Sequence, residues 1–150
     1  ERARERIPRF EVSTDIMVGF PGESEKDFEE SLSALRFFRY DLVHTAAYSR
    51  RPPSKAAEME DQVDPLVKSL RLNAANALQR EIALSINRSL EGKTVEVLFE
   101  GPADKGEGLI AGRTVSDKVV LARGTAREFG RIRKVRIERG DAWSLFGVIL

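Results

Sequence analysis

Short β-strand patterns separated by turn signals fill the C-terminal part of the chain, from about Arg88, and constrain its fold more than any other feature. Apolar and polar residues alternate over residues 94–100 and break at a Gly-Pro pair. Further strand-like runs are residues 109–115, 118–121 and 132–138, with residues 147–150 as a candidate fifth. This density of short strands favours a small closed or nearly closed barrel of the OB-like kind.

The first 55 residues alternate strand and helix instead. An apolar run of strand length within residues 11–20 ends at a Pro-Gly turn. Ser24 follows as a candidate helix N-cap, with Asp27 at capping-box spacing. Residues 42–48 form a second strand pattern. Strand, helix and strand in this order predict a right-handed βαβ unit with parallel strands.

Two parallel strands and one helix cannot close a hydrophobic core, because parallel strands are normally covered on both faces within a larger sheet. We therefore expect this region to be a cut section of a larger α/β domain. The chain begins with Glu1 rather than Met, which agrees with that expectation. On its own, the uncovered sheet edge predicts that the fragment dimerises through its incomplete α/β part.

A linker with a long helix is predicted between the two regions. Asp64 is a candidate N-cap, and Pro65 suits the first helical position. Apolar residues recur at steps of three and four positions along this segment, which predicts one buried apolar stripe on the helix. Its members are Val67, Leu70, Ala74, Leu78, Ile82, Ile86 and Leu90. The predicted organisation is thus an α/β part at residues 1–55, a linker at 56–87 and a β-barrel at 88–150.

Composition excludes several classes of protein. The chain has 150 residues, 25 Lys and Arg, 24 Asp and Glu, one His and no Cys. Without cysteine it cannot form a disulfide scaffold or itself hold an iron–sulfur cluster. No apolar run is long enough for a membrane helix, and the charged start does not resemble a signal peptide. We expect a soluble, cytoplasmic protein that makes no contact with membrane.

One candidate ligand site is the turn formed by Gly19, Phe20, Pro21, Gly22 and Glu23. It lies where a strand ends and a helix begins, the edge at which α/β folds bind ligands. Two glycines allow close approach of the backbone, and a helix N-terminus favours an anionic group. A purely steric role for the glycines and the proline explains the same pattern.

A second candidate site is basic. Residues 123–139 hold seven basic and two acidic residues, a phosphate-binding patch if they lie on one barrel surface. Arg113 and Lys118 could extend that patch, and Arg51 follows the second strand of the α/β part. A solvated charged face is the alternative in each case.

Several motifs, in order, resemble those of the radical S-adenosylmethionine methylthiotransferases. TDIMVGFPGE followed by EKDF is similar to that family's TDxxVGFPGExxxDF segment. YSRRP, AA and DQV resemble its YSxRPxTxAA…DQV segment. QREI, NRSL and GKTVEVL are similar to its linker and the start of its TRAM domain, and GRT with KVVL resembles a motif inside that domain.

The resemblance implies a fold and a cofactor. The chain would be the last strands of a radical SAM (β/α) barrel, a linker helix and an RNA-binding, OB-like TRAM barrel. Residues 19–23 would lie beside S-adenosylmethionine, while the 4Fe-4S clusters of the full-length enzyme would have ligands outside this chain. This fragment would contain no catalytic or metal-ligating residue and would be inactive alone.

The resemblance also implies a tRNA substrate. The YSRRP and GRT…KVV forms resemble the MiaB type, which acts on N6-isopentenyladenosine beside the anticodon. The implied partner is the tRNA anticodon stem-loop. The residues expected to contact RNA are Arg51, Arg113, Lys118, Arg133, Lys134 and Arg136. The open alternatives are a methylthiotransferase acting on threonylcarbamoyl adenosine and a non-enzymatic RNA-binding module.

Overall fold

The computed structural model describes residues 2–7 and 10–150, and Glu1 lies outside the described residues. The helices are α1 (Arg2–Arg6), α2 (Glu25–Phe38), α3 (Lys55–Glu58) and α4 (Pro65–Arg88). The strands are β1 (Ser13–Val18), β2 (Leu42–Ala47), β3 (Thr94–Pro102), β4 (Leu109–Thr114), β5 (Val119–Arg123), β6 (Ile132–Gly140) and β7 (Leu145–Ile149). The chain divides into an α/β unit up to Ile82 and a second unit, the barrel unit, from Ala83.

In the α/β unit, β1 and β2 pair in parallel, as the strand–helix–strand pattern predicts. The two strands form a sheet of their own in the described part of the chain. Val18 and Val43 are buried on one face of this sheet. On the other face, Asp15 is the register partner of His44, and both side chains are exposed. One face of this small sheet is therefore uncovered.

The start of α2 confirms the predicted capping box. Ser24 Oγ accepts a hydrogen bond from the Asp27 backbone N–H, and the Asp27 carboxylate accepts one from the Ser24 backbone N–H. These bonds satisfy backbone donors that the first helical turn leaves open. The Ser24 side chain and backbone hydrogen bonds hold the pKa of Asp27 below its ordinary value.

The buried stripe of α4 differs from the predicted one. Leu70 is 60% exposed, although it was expected to be buried. The buried positions instead include Arg71, Gln79 and Asn87. Gln79 donates to the Tyr40 carbonyl and Asn87 to the Asp141 carbonyl. Ile82 of the predicted stripe is buried, at 4% exposed. The periodicity was therefore only partly correct, because long polar side chains share the inner face and bond to backbone and carboxylate acceptors there.

The barrel unit contains a closed barrel with strand order β3-β4-β5-β7-β6. All neighbours are antiparallel except β5 and β7, which pair in parallel. This confirms the predicted small OB-like barrel. Alternate residues of each strand face inward. The buried core consists of Val95, Val97, Phe99, Ile110, Val120, Ala122, Val135, Ile137 and Leu145.

Shortening one core side chain tests this packing. Ile137 is 1% exposed. We expect Ile137→Val to lower the free energy of unfolding of the barrel by about 1 kcal/mol, because one buried methyl group is lost. Urea unfolding followed by circular dichroism measures this change. The same deletion at Ile132, which is 66% exposed, is the control and should change stability by less than about 0.5 kcal/mol.

Candidate functional sites

The turn after β1 has the geometry that its Pro-Gly pair predicts. The Phe20 carbonyl accepts a hydrogen bond from the Glu23 N–H at 2.9 Å. Pro21 and Gly22 occupy the two central positions, and Gly22 has a φ of +82°. Proline first and a left-handed residue second are the marks of a type II turn, in which glycine avoids a steric penalty.

Gly19 closes the turn from the other side. Its φ is +71°, and a Cβ built there would come within 2.4 Å of Lys68 Cγ. The Gly19 N–H donates to Glu23 Oε2 at 2.6 Å. The carboxylate of Glu23, which was expected to lie at a cofactor site, therefore accepts a hydrogen bond from the backbone of its own turn.

Arg71, on α4, holds that carboxylate in place. Its Nη1 lies 2.7 Å from Glu23 Oε2 and also donates to the Glu23 carbonyl, while Nη2 donates to Glu25 Oε2 at 3.1 Å. The Arg71 and Glu23 side chains are only 7% and 10% exposed. Burial acts to lower the pKa of Arg71, but the hydrogen bonds to Glu25 and Glu23 outweigh it and raise that pKa. Sequence reasoning missed Arg71 because its partners lie more than forty residues away.

Phe20 is the exposed aromatic residue of the turn, and it packs on the buried Tyr48. Phe20 is 44% exposed, and its ring meets the Tyr48 ring edge-on at 5.3 Å. Lys68 Nζ lies 5.0 Å from the centre of the Tyr48 ring. The buried Tyr48 hydroxyl has no hydrogen-bond partner among the described residues. The turn thus offers one apolar aromatic surface with an unused polar group nearby.

Arg51 lies beyond β2 and is exposed. The neighbouring Arg50 has a structural contact, because its Nε donates to the Ala57 carbonyl at 2.7 Å. Ala57 belongs to α3, a short helix. Of the two adjacent arginines, Arg50 is therefore the one that α3 engages.

On the barrel, Lys134 and Arg136 face outward from β6. The register pairs Lys134 with Glu96 of β3, and it pairs Ile132 with Leu98. Leu98 and Ile132 are 41% and 66% exposed. Lys134 forms no ion pair among the described residues, and Arg136 approaches only Glu138, at 3.8 Å. We call this surface of Leu98, Ile132, Lys134 and Arg136 the β3–β6 face.

Arg113 lies next to this face and Lys118 lies at the following turn. Arg113 of β4 is the register partner of Leu98. Its guanidinium is 3.5 Å from Glu100 and 2.9 Å from Asp117, so two carboxylates offset its charge. Lys118 is half-buried. Its backbone N–H donates to Thr114 Oγ1, and its carbonyl accepts a hydrogen bond from the Thr114 N–H.

Arg133 does not share the β3–β6 face. It precedes Lys134 and therefore lies on the opposite side of β6, since side chains alternate along a strand. Its Nε donates to Glu128 Oε2 at 2.5 Å, next to a short 3-10 turn at Ala126–Glu128. The six residues expected to contact RNA thus fall into separate groups, and strand alternation alone could have separated Arg133 from Lys134.

The Arg133–Glu128 pair has a measurable consequence for titration. The Arg133 hydrogen bond lowers the pKa of Glu128, and the same bond raises the pKa of Arg133. The folded state therefore gains stability from Glu128 above the unfolded pKa and loses it as pH falls through the lower, folded pKa. We expect an NMR titration of the Glu128 carboxyl to show the low pKa. In Arg133→Gln the pKa of Glu128 should rise towards the ordinary range of a glutamate carboxyl; an unchanged pKa would contradict this pairing.

Two absences apply to the described part of the chain. No group of three or more His, Cys, Asp or Glu side chains there could hold a metal ion. No described helix is long and apolar enough to cross a membrane.

The five-stranded barrel coincides with a match to a known domain family. Residues 88–150 match the family described as the TRAM domain. These residues form a TRAM domain. The β3–β6 face is therefore a surface of the TRAM domain, and so is the region around Arg113 and Lys118.

Whole-chain relatives extend this finding to the α/β unit. A tRNA-2-methylthio-N(6)-dimethylallyladenosine synthase of Carboxydothermus hydrogenoformans is 42% identical over 150 residues, which is 100% of this chain and 34% of that protein. The synthases of Bacillus subtilis and Clostridium botulinum are 40% and 41% identical, over 97% and 100% of this chain and 29% and 33% of theirs. The chain thus spans about a third of the length of the curated relatives it matches. The resemblance to methylthiotransferases seen in the motifs is confirmed.

Proposed function

We propose that this chain is part of a tRNA methylthiotransferase that acts on N6-dimethylallyladenosine, also called N6-isopentenyladenosine, beside the anticodon. The observation that carries the proposal is the match of the whole chain, at about 40% identity, to synthases named for that product.

In this proposal, residues 1–55 are the last part of a radical SAM (β/α) barrel, residues 56–87 are the linker and residues 88–150 bind RNA. The parallel β1–β2 pair supports the first assignment. Its outward face carries exposed Asp15, Met17 and His44, and a face of parallel sheet is normally covered. Further strands of the same barrel would extend the sheet and enclose this face.

S-adenosylmethionine would bind at the turn of Gly19, Phe20, Pro21, Gly22 and Glu23. The fit is favourable at Phe20, whose exposed ring can contact a purine, and at Tyr48, whose buried hydroxyl is unpaired. Glycines 19 and 22 and Glu23 shape the turn, and Arg71 fixes it. In this family the cofactor supplies the 5′-deoxyadenosyl radical and the methyl group.

The 4Fe-4S clusters do not fit this chain. It has no cysteine, and the described residues contain no other group of metal ligands. The clusters would need ligands supplied by another part of the full-length enzyme, so no catalytic step is assigned to residues of this chain.

The TRAM domain would hold the tRNA anticodon stem-loop. Lys134 and Arg136 support this role, because they project from one strand beside exposed Leu98 and Ile132. Cations contact phosphates, and apolar side chains pack against sugars and bases. Arg51, Arg113, Lys118 and Arg133 are further proposed contacts, of which Arg113 and Arg133 must exchange existing carboxylate partners for phosphate.

The substrate is tested with the full-length polypeptide that carries this segment. It is expressed in a bacterium that lacks its own tRNA methylthiotransferases, and the tRNA nucleosides are analysed by mass spectrometry. We expect 2-methylthio-N6-dimethylallyladenosine to appear. Methylthiolation of threonylcarbamoyl adenosine alone would establish the rival substrate, and an absence of both products would leave a non-enzymatic RNA-binding module.

The isolated 150-residue chain is expected to dimerise or to exchange segments. The β1–β2 sheet has two unpaired edges and one uncovered face among the described residues, and such edges pair readily with another chain. Multi-angle light scattering at several concentrations measures the mass. A monodisperse monomer across that range would contradict this prediction.

A further inference from the structure

A groove lies on the TRAM domain where β5 and β7 separate. These strands pair in parallel over only three residue pairs, ending at Ala122 and Gly147. Beyond this point a groove of about 340 Å³ is lined by Leu109, Leu121, Ala122, Arg123, Glu138, Phe146, Gly147, Val148 and Ile149. Its volume lies at the lower end of the roughly 300–1,000 Å³ that small-ligand sites enclose.

The walls of the groove are apolar and aromatic. Leu109, Leu121 and Val148 contribute aliphatic surface, and Phe146 contributes a ring. The Arg139 guanidinium lies over that ring at 4.0 Å from its centre, so the ring is held in a cation–π contact. Arg139 thus covers one face of the Phe146 ring, and a flat aromatic ligand would contact the remaining ring surface that lines the groove.

The charges around the groove favour an anionic partner. Arg123 lines it and forms no ion pair among the described residues. Arg136 is the register partner of Val148, so the β3–β6 face borders the groove directly. If Lys134 and Arg136 bind phosphates, the bases of the same nucleotides would lie close to this groove. One carboxylate, from Glu138, also lines it.

Glu138 gives the groove a polar group that can distinguish bases. It falls where the pairing of β6 with β7 shifts register, between Ile137 and Arg139. Bulges of this kind redirect a side chain. A carboxylate accepts a hydrogen bond from the exocyclic amino group of cytosine, whereas uracil has a carbonyl oxygen at that position.

We propose that this groove binds one unpaired nucleobase of the RNA, against Phe146, and that Glu138 favours a base with an exocyclic amino group over uracil. The inference rests on RNA binding by the TRAM domain and adds a base-binding site to it. Single-stranded loops are the usual source of such a base, because their bases can be splayed out of the stack.

The first test compares two RNAs on the 150-residue chain. One is a hairpin with a single-stranded loop, and the other is a blunt duplex of the same number of phosphates. Phe146→Leu keeps an apolar side chain but removes the ring, and Trp143→Leu, at an exposed aromatic outside the groove, is the matched control. We expect Phe146→Leu to weaken hairpin binding about tenfold and to leave duplex binding unchanged. The control should change neither affinity.

The second test asks about base identity. Hexamers of cytidine and of uridine are titrated onto the wild type and onto Glu138→Gln. We expect the wild type to prefer the cytidine hexamer and the variant to lose most of that preference. Circular dichroism verifies the fold of each variant.

The outcomes separate the two proposals. Hairpin binding that is insensitive to Phe146→Leu would overturn the base site and leave RNA binding intact. A preference for the cytidine hexamer that Glu138→Gln does not reduce would overturn the role of Glu138. Failure of the wild type to bind any of these RNAs would overturn both. A hairpin with photoreactive 5-iodocytidine in its loop, a base that keeps the exocyclic amino group, should crosslink to the β7 peptide around Phe146; crosslinks confined to other peptides would also overturn the base site.

Discussion

Replacing Arg71 by methionine is expected to lower the free energy of unfolding of the α/β unit by about 3–5 kcal/mol. The Arg71–Glu23 pair is almost fully buried, and the substitution leaves the Glu23 carboxylate with the Gly19 N–H as its one donor among the described residues. Removing one partner of a buried ion pair is costly because the remaining charge is desolvated without compensation. Urea unfolding followed by circular dichroism measures the loss.

A double variant distinguishes this cause from lost packing. Glu23→Gln in the Arg71→Met background removes the uncompensated charge, so stability should partly recover. Arg36→Met, at an exposed position of α2, is the matched control and should change stability by less than about 0.5 kcal/mol. A loss for Arg71→Met no larger than that of the control would show that the pair does not fix the turn.

Reversing the charges of the β3–β6 face is expected to have the largest effect on RNA binding. In Lys134→Glu/Arg136→Glu, two side chains that are proposed to contact phosphate become repulsive. Like charges across an interface cost several kcal/mol, so we expect affinity for a stem-loop to fall by about a hundredfold or more at low salt. Fluorescence anisotropy with a labelled stem-loop measures the affinity.

The control is a second double variant that changes the net charge by the same amount at a different surface. Lys26 and Arg36 are exposed on α2 of the α/β unit. Lys26→Glu/Arg36→Glu should weaken binding much less, since only a general electrostatic effect remains. Equal losses in the two double variants would mean that net charge, and no particular surface, governs the binding.

Local patterns predicted the fold where local interactions decide it. Alternation in 94–100 and 132–138 gave strands of the barrel, and the Ser24–Asp27 spacing gave the start of α2. Periodicity was only partly correct on α4, where Ile82 is buried as predicted but Arg71 also takes an inner position. Its carboxylate partners lie more than forty residues away in sequence, so no local pattern reveals them.

For the candidate sites, too, the sequence predicted local features but not the contacts between distant residues. The Pro21-Gly22 pair signalled its turn, but the inward fold of Glu23 depends on Arg71 and could not be read from the motif. In the basic segment, composition suggested one patch, whereas the pleat of β6 puts Lys134 outward and turns Arg133 towards Glu128. The groove beside Phe146 arises from the separation of two strands that are distant in sequence, which no motif records.

The affinity of the 150-residue chain for a tRNA anticodon stem-loop, titrated over a range of salt concentrations, tests most directly whether the TRAM domain is the RNA-binding part. We predict binding at low salt that weakens as salt rises, with a slope that decreases by about one for each phosphate-contacting cation removed from the β3–β6 face. No binding at low salt, or a slope unchanged when Lys134 and Arg136 are neutralised, would contradict it.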